Sequence, residues 1–226
     1  MLYEQLFERS IALLGDAGIQ RLRALNVLVV GVGGVGSWCA EALVRSGLGH
    51  LTIVDSDCVE PSNINRQLPA RVDTIGQPKV EVLARHFASV NPFCEVRAIV
   101  GRYNADTADD YRLADYDYVV DAIDDINAKA LLINNATRTP GVTLLSSMGA
   151  ARRHDPGRVA VAEFRKVQGC PLARALRNKF RRSGIYPARK FRCVYSPEPA
   201  IAPAGTLMPV TATFGLSLAS LILRDL

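Results

Sequence analysis

Residues 26–36, NVLVVGVGGVG, constrain the fold more than any other stretch: an unbroken apolar run leads directly into a turn containing four glycines. A strand with apolar side chains at consecutive positions has no solvent face, so it belongs inside a parallel sheet covered on both sides. VGSWCAEALVRSG (35–47) then reads as a helix ended by Gly47, and the apolar run HLTIVD (50–55) follows at once as a second strand. The alternation continues with helix 77–90, strand 94–100, helix 105–113, strand 117–123, helix 126–138 and strand 142–147. The pattern predicts an α/β fold on a doubly wound, mostly parallel sheet.

Before this core, residues 2–25 place Leu6, Ile11, Leu14, Ile19, Leu22 and Leu25 at helical spacing, with Gly15 and Gly18 as breaks, and predict one or two helices. After Gly149 the order loosens into a strand (RVAVAEF), a basic helix over 171–182, a strand (FRCVYS), a proline-rich loop and a closing helix. A length of 226 residues with 49% hydrophobic content suits a single domain over 1–226. Within it, 1–25 is the N-terminal helical segment, 26–150 the nucleotide-binding core and 151–226 a basic, substrate-side elaboration. The closing PVTATFGLSLASLILRDL carries Thr and Ser throughout and a charged end, so a buried core helix is expected rather than a membrane anchor. The acidic, amphipathic start is unlike a signal peptide, and a cytoplasmic location with no membrane association is expected. Five scattered cysteines without a CxxC pair argue against a disulfide framework and a four-thiolate zinc site, so no zinc is expected.

The formal charge of +5 is unevenly distributed. Residues 1–150 hold 13 Lys and Arg against 18 Asp and Glu, a net −5, whereas 151–226 hold 14 against 4, a net +10. The density of cations in RRHDPGR, FRK and RALRNKFRRSGIYPARKFR suits a polyanionic partner such as nucleic acid, or forms a solvated helix face.

The glycine turn, with Gly31, Gly33 and Gly34, lets backbone N–H groups and a helix N-terminus approach phosphates. Asp55, at the end of the second strand, can accept hydrogen bonds from ribose hydroxyls. These features do not separate a dinucleotide from ATP. The stretch IVDSDCVEPSNINRQ, continued by GQPKV, does: Asp57, Asn63, Arg66, Gln67 and Lys79 share one loop edge, and a reaction that expels pyrophosphate needs cations there. Arg66 offers a bidentate fork and Lys79 a mobile point charge. In YDYVVDAIDDINAK an apolar strand ends in Asp121, Asp124 and Asp125, where one carboxylate would hold hydrated Mg2+ beside a triphosphate. Asp125 serves equally well as the cap of the next helix.

As an ordered set, GxGGxG, DxD with SNxxRQ, GxxK and DxxDD resemble the ThiF/MoeB superfamily that includes the ubiquitin-activating enzymes. The resemblance covers residues 3–148. It implies a Rossmann-like adenylating fold, a homodimer, and ATP with Mg2+ used to adenylate a carboxylate or comparable oxygen. It assigns Gly31, Gly33 and Gly34 to the phosphate turn, Asp55 to ribose, Asn63, Arg66 and Lys79 to phosphate, and Asp124 to magnesium. ERSIALLG is similar to the first helix of that family, which implies that Arg9 reaches the γ-phosphate in the partner protomer.

Sulfur-carrier adenylyltransferases of the superfamily typically carry two CxxC pairs, and this sequence has neither. RLRALNVLVVGVGGVGSWCAEALVRSGLGHLTIVDSD, NRQ, YVVDAID, FRCVYSPEPA and the terminal VTATFG resemble instead the tRNA threonylcarbamoyladenosine dehydratases. That implies activation of a threonylcarbamoyl carboxylate on tRNA and ring closure with loss of water, with the basic region at 152–192 holding the anticodon stem-loop. A sulfur-transfer or desulfurase-associated protein is a further implied partner. Cys193, at a strand end before the proline-rich loop, is the one cysteine whose setting can expose it; a structural or loop-ordering role is favoured over a direct, accessory one. The alternatives are adenylation of the C-terminal Gly-Gly of a ubiquitin-like sulfur carrier, and a redox or nucleotide-sensing protein on the same fold.

Overall fold

The computed structural model describes residues 2–201 and 205–226. Its elements are α1 (Tyr3–Leu6), α2 (Glu8–Ala24), β1 (Asn26–Val30), α3 (Gly36–Ser46), β2 (His50–Asp55), α4 (Lys79–Val90), β3 (Glu95–Val100), β4 (Tyr118–Asp121), α5 (Ile126–Arg138), β5 (Thr143–Ser147), β6 (Ala160–Glu163), α6 (Pro171–Ser183), β7 (Arg192–Tyr195) and α7 (Met208–Arg224). The seven strands form one sheet in the order β3, β2, β1, β4, β5, β7, β6. All neighbours are parallel except β6, which pairs antiparallel with β7.

The apolar run of β1 divides its side chains between two cores, as strand periodicity requires. Val27 and Val29 join a cluster with Leu43 of α3, Leu83 of α4 and Phe214 and Leu218 of α7. Leu28 and Val30 join the opposite cluster with Leu132 and Ile133 of α5 and Leu176 and Phe180 of α6. Helices on both faces bury the central strands completely, while β3 at the edge leaves Glu95 and Arg97 in solvent.

Gly15 interrupts α2 with φ 72° and ψ 169°, whereas Gly18 stays helical and buried. The helix expected over 105–113 is replaced by two 3-10 turns, Ala108–Tyr111 and Leu113–Asp115, with Arg112 between them in the left-handed region. Asn104 Oδ1 takes the N–H groups of Asp106 and Thr107, and Tyr111 Oη donates to the Arg102 carbonyl, so local side-chain bonds displace the helical ladder. The closing segment is a core helix, with Val210, Phe214, Leu218, Leu221 and Ile222 buried. No helix among the described residues is long and apolar enough to cross a membrane. The chain end is fastened through Asp225, which accepts hydrogen bonds from Arg192 of β7 and Tyr118 of β4. Of the proline-rich loop, residues 202–204 lie outside the described residues.

Candidate active site

At the carboxyl edge of the sheet, β1 turns into α3 so tightly that no other residue type fits. Gly31 adopts φ +87°, and a Cβ on Gly36 would fall 1.8 Å from the Gly31 carbonyl oxygen. The first turn of α3 thereby comes against the end of β1, and its N–H groups face the edge where ligands of such sheets bind. Gly34 lies against Arg66 and Thr211: a Cβ there would meet the Arg66 Cγ at 3.2 Å and the Thr211 Oγ1 at 3.3 Å. The start of α7 therefore shares this edge with the glycine turn, a placement with no local sequence signal.

Asp55 closes the turn from β2. Its Oδ2 accepts from the Val32 N–H at 2.8 Å and its Oδ1 from the Asp57 N–H at 2.9 Å, which leaves the remaining lone pairs of each oxygen for ribose hydroxyls. Lys79 opens α4 almost fully buried, and its Nζ donates to Asp57 Oδ2 at 3.1 Å. Partial burial pushes the Asp57 carboxyl up, but the hydrogen bond and charge of Lys79 outweigh it and hold the group below its ordinary value. The ammonium thus has as its counter-ion a carboxylate that is itself exposed. Arg66 Nη1 donates to the Ser62 carbonyl at 2.9 Å and to Asn65 Oδ1 at 2.8 Å.

Of two further expected contacts, one is partly occupied elsewhere and the other is unpartnered among the described residues. Asn63 is buried and its Oδ1 accepts from the Glu60 N–H at 3.1 Å, closing the turn Pro61–Asn63. Gln67 packs beside Gly33, and its Oε1 is buried with no hydrogen-bond partner among the described residues. Half a turn of that amide puts an N–H2 donor in the same place, so the cradle suits a phosphate oxygen.

The three acidic residues after β4 separate cleanly. Asp121 is completely buried and ion-paired with Lys129 Nζ at 2.7 Å, also accepting from Ser146 Oγ at 2.6 Å. It is a fixed part of the sheet. Asp125 caps α5, its Oδ1 taking the N–H groups of Asn127 and Ala128 at 2.9 and 2.8 Å, so the capping reading describes what this carboxylate does here. Asp124 is exposed between them and has no hydrogen-bond partner among the described residues. Its carboxylate suits a hydrated Mg2+, which is commonly held by one or two carboxylates plus substrate phosphates. Arg9 is exposed on α2.

Cys193 is not exposed, which favours the structural reading over the accessory one. It lies inside β7, completely buried opposite Ser146 of β5, and burial pushes its thiol well above the ordinary value. The strand that carries it ends two residues later, so it is not presented to the edge.

The basic last third also sorts itself. Arg177 Nη1 donates to the Val167 carbonyl at 3.0 Å, and Arg189 covers the carbonyls of Ala136, Thr137, Thr139 and Val142 at and just beyond the end of α5. Arg192 pairs with Asp225. Arg153 is buried, with its Nε unpartnered among the described residues. Arg158, Arg165, Lys166, Arg174, Arg181, Arg182 and Lys190 remain exposed. A cavity of about 270 Å³ lies at the opposite, amino edge of the sheet, between Thr137, Thr143, Glu163 and Phe191, away from the glycine turn. The glycine-turn edge is instead lined by loops and by the first turns of α3, α4 and α7.

A protein-family model described as the ThiF family matches residues 7–226. The chain is 36% identical over 246 residues to the tRNA threonylcarbamoyladenosine dehydratase of Haemophilus influenzae, covering 99% of this chain and 94% of that protein. It is 42% identical over 179 residues to the Bacillus subtilis protein of the same name, covering 79% and 70% of the two. The Escherichia coli tRNA N6-threonylcarbamoyladenosine dehydratase, solved in complex with ATP, superposes with a TM-score of 0.92 at 35% identity, over 98% of this chain and 93% of that one.

Proposed function

The chain belongs to the ThiF family, and from that premise we propose that it is an ATP-dependent tRNA threonylcarbamoyladenosine dehydratase. The observation that carries this reading is that the likeness to an ATP-bound dehydratase extends over 98% of the chain, including the basic last third. That extent favours a tRNA-borne acyl group over the Gly-Gly end of a sulfur carrier.

In this reading the triphosphate lies against Gly31, Gly33 and Gly34 with Asp55 on the ribose. The substrate carboxylate oxygen attacks the α-phosphorus, the bond to the departing pyrophosphate breaks, and an acyl adenylate forms. Arg66 and Lys79 stabilise the charge that grows on the leaving group, with Lys79 exchanging Asp57 for phosphate. Mg2+ on Asp124, when bound, neutralises further phosphate charge. A nitrogen within the substrate then attacks the acyl carbon and loses its proton as AMP departs with the former carboxylate oxygen. Net loss is one water. The closeness of nucleophile and acyl group supplies the rate, so no thiol is required, consistent with a buried Cys193.

The exposed cations of α6 and its flanking turns hold the anticodon stem-loop. The enzyme is a cytoplasmic homodimer in which Arg9 reaches the partner protomer's γ-phosphate; association with a sulfur-transfer or desulfurase-linked protein rests on the resemblance alone. Incubation of modified tRNA with ATP and the enzyme is expected to give a nucleoside lighter by one water, with AMP and pyrophosphate formed in step. Pyrophosphate exchange that depends on a Gly-Gly-ending carrier and ignores modified tRNA would overturn the assignment. Mixing inactive Arg9→Ala and Lys79→Ala protomers is expected to restore activity, and its absence would remove the shared site.

A further inference from the structure

Asn65 stands between Arg66 and the loop that leads into α7. Its Oδ1 accepts from Arg66 Nη1 at 2.8 Å, and its Nδ2 donates to the Thr206 carbonyl at 2.9 Å. The two partners belong to opposite sides of the edge: Arg66 faces the glycine turn, while Thr206 lies 141 residues away, just ahead of α7. The connection continues past Thr206. The carbonyl of Gly205 accepts from the Arg152 N–H at 2.8 Å, the Arg152 carbonyl accepts from the Ile201 N–H at 3.1 Å, and Arg152 Nε donates back to the Ile201 carbonyl at 2.7 Å. Arg152 holds the left-handed conformation, φ 64°, in the loop that follows β5. A residue without the freedom of glycine keeps that conformation only where its surroundings over-determine it, and here three hydrogen bonds do so.

We propose that Asn65 is a positioning residue that couples nucleotide occupancy to the substrate-side loops. One planar amide group holds both arms, so its carbonyl and N–H2 cannot be reoriented independently. When a triphosphate fixes the Arg66 guanidinium, the same amide is fixed, and with it the 205–207 backbone and the loop carrying Arg152. ATP and tRNA then strengthen each other's binding, each meeting an edge the other has already ordered. The inference rests on the tRNA-dehydratase reading above, and it adds a link that neither ligand's own contacts supply.

The test measures a non-hydrolysable ATP analogue binding to the full-length enzyme, with and without saturating modified tRNA. Wild type is expected to bind the analogue about tenfold tighter with tRNA, and by reciprocity to bind tRNA tighter with the analogue by the same factor. In Asn65→Ala that factor falls to about one while the analogue alone binds within about threefold of wild type. Asn65→Asp is the sharper variant, because it keeps the acceptor for Arg66 and removes the donor to Thr206. It is expected to weaken binding of the analogue alone, since its carboxylate competes with phosphate for Arg66, and to lose the tRNA-dependent factor while the protein still unfolds cooperatively. A merely structural Asn65 would instead lower both affinities together and leave their ratio intact. An unchanged factor in Asn65→Asp, or no factor in wild type, overturns the proposal. Formation of the cyclic nucleoside is scored separately, so that loss of coupling with intact product leaves the enzymatic assignment standing.

Discussion

The nucleotide-binding core and the basic last third handle cationic side chains in opposite ways. In the core the two buried lysines each sit on a carboxylate, Lys79 on Asp57 and Lys129 on Asp121. In the last third, where 14 cations meet only 4 acidic residues, Arg177 and Arg189 are held by backbone carbonyls instead. A carboxylate partner on an exposed rim can be exchanged for a phosphate of like charge. A set of backbone carbonyls has no such substitute, so an arginine that covers them is fixed as part of the fold. Charge counting therefore overstates the surface available to tRNA, and the depth of each pair, rather than its presence, separates chemistry from architecture.

The largest effect is expected inside the core. Lys129→Met leaves Asp121 as an uncompensated buried carboxylate and should cost about 3–5 kcal/mol in denaturant unfolding. An unchanged midpoint would mean the pair is no more structural than the Lys79–Asp57 pair. Lys79→Ala removes the exchangeable member, and should cut ATP cleavage by about a hundredfold or more while unfolding cooperatively near the wild-type midpoint. Normal turnover would end its role in pyrophosphate departure.

Smaller changes separate the two kinds of arginine. Replacing Arg165, Lys166, Arg174 and Arg182 together with Gln should weaken tRNA binding and lower its logarithmic salt slope by about 3, with stability unaffected. Arg177→Gln and Arg189→Gln should do the reverse, lowering stability by about 1 kcal/mol and sparing the slope. Equal slopes in both sets would erase the distinction. The smallest effect belongs to the exposed pair at the chain end. The Arg192 hydrogen bond is the main cause holding the Asp225 carboxyl below its ordinary value. Its contribution is present above the unfolded-state value of about 4 and fades as pH falls through the lowered native value. Melting of wild type and Asp225→Asn should differ by less than about 1 kcal/mol at neutral pH and converge in acid.

The sheet was legible because its strands are buried on both faces, which forces long apolar runs into the sequence at β1, β2, β4 and β5. The segment 105–113 misled because its periodicity is weak and Asn104 and Thr107 offer the backbone local bonds that a helix cannot match. Of the expected site residues, Gly31, Asp55, Arg66 and Lys79 are gathered at one sheet edge, as their order after β1 implied, since the chain turns at the same edge each time. Asp125 and Asn63 could not be assigned from type alone, because a carboxylate or amide one residue from a helix end serves the backbone first. Cys193 looked like a rim residue because the loop after it is proline-rich, yet strand alternation turns its side chain into the core.

The sequence by itself determined the parallel sheet, the tight glycine turn and the family, since each depends on local backbone geometry and apolar periodicity written over a few tens of residues. Only the tertiary structure decided which charges remain available. Lys129 finds Asp121, Arg189 finds the end of α5, and Asn65 finds Thr206 across 141 residues. Electrostatic and hydrogen-bond partners are chosen by distance in space, and the stiff strands and helices, not the neighbouring residues, set that distance.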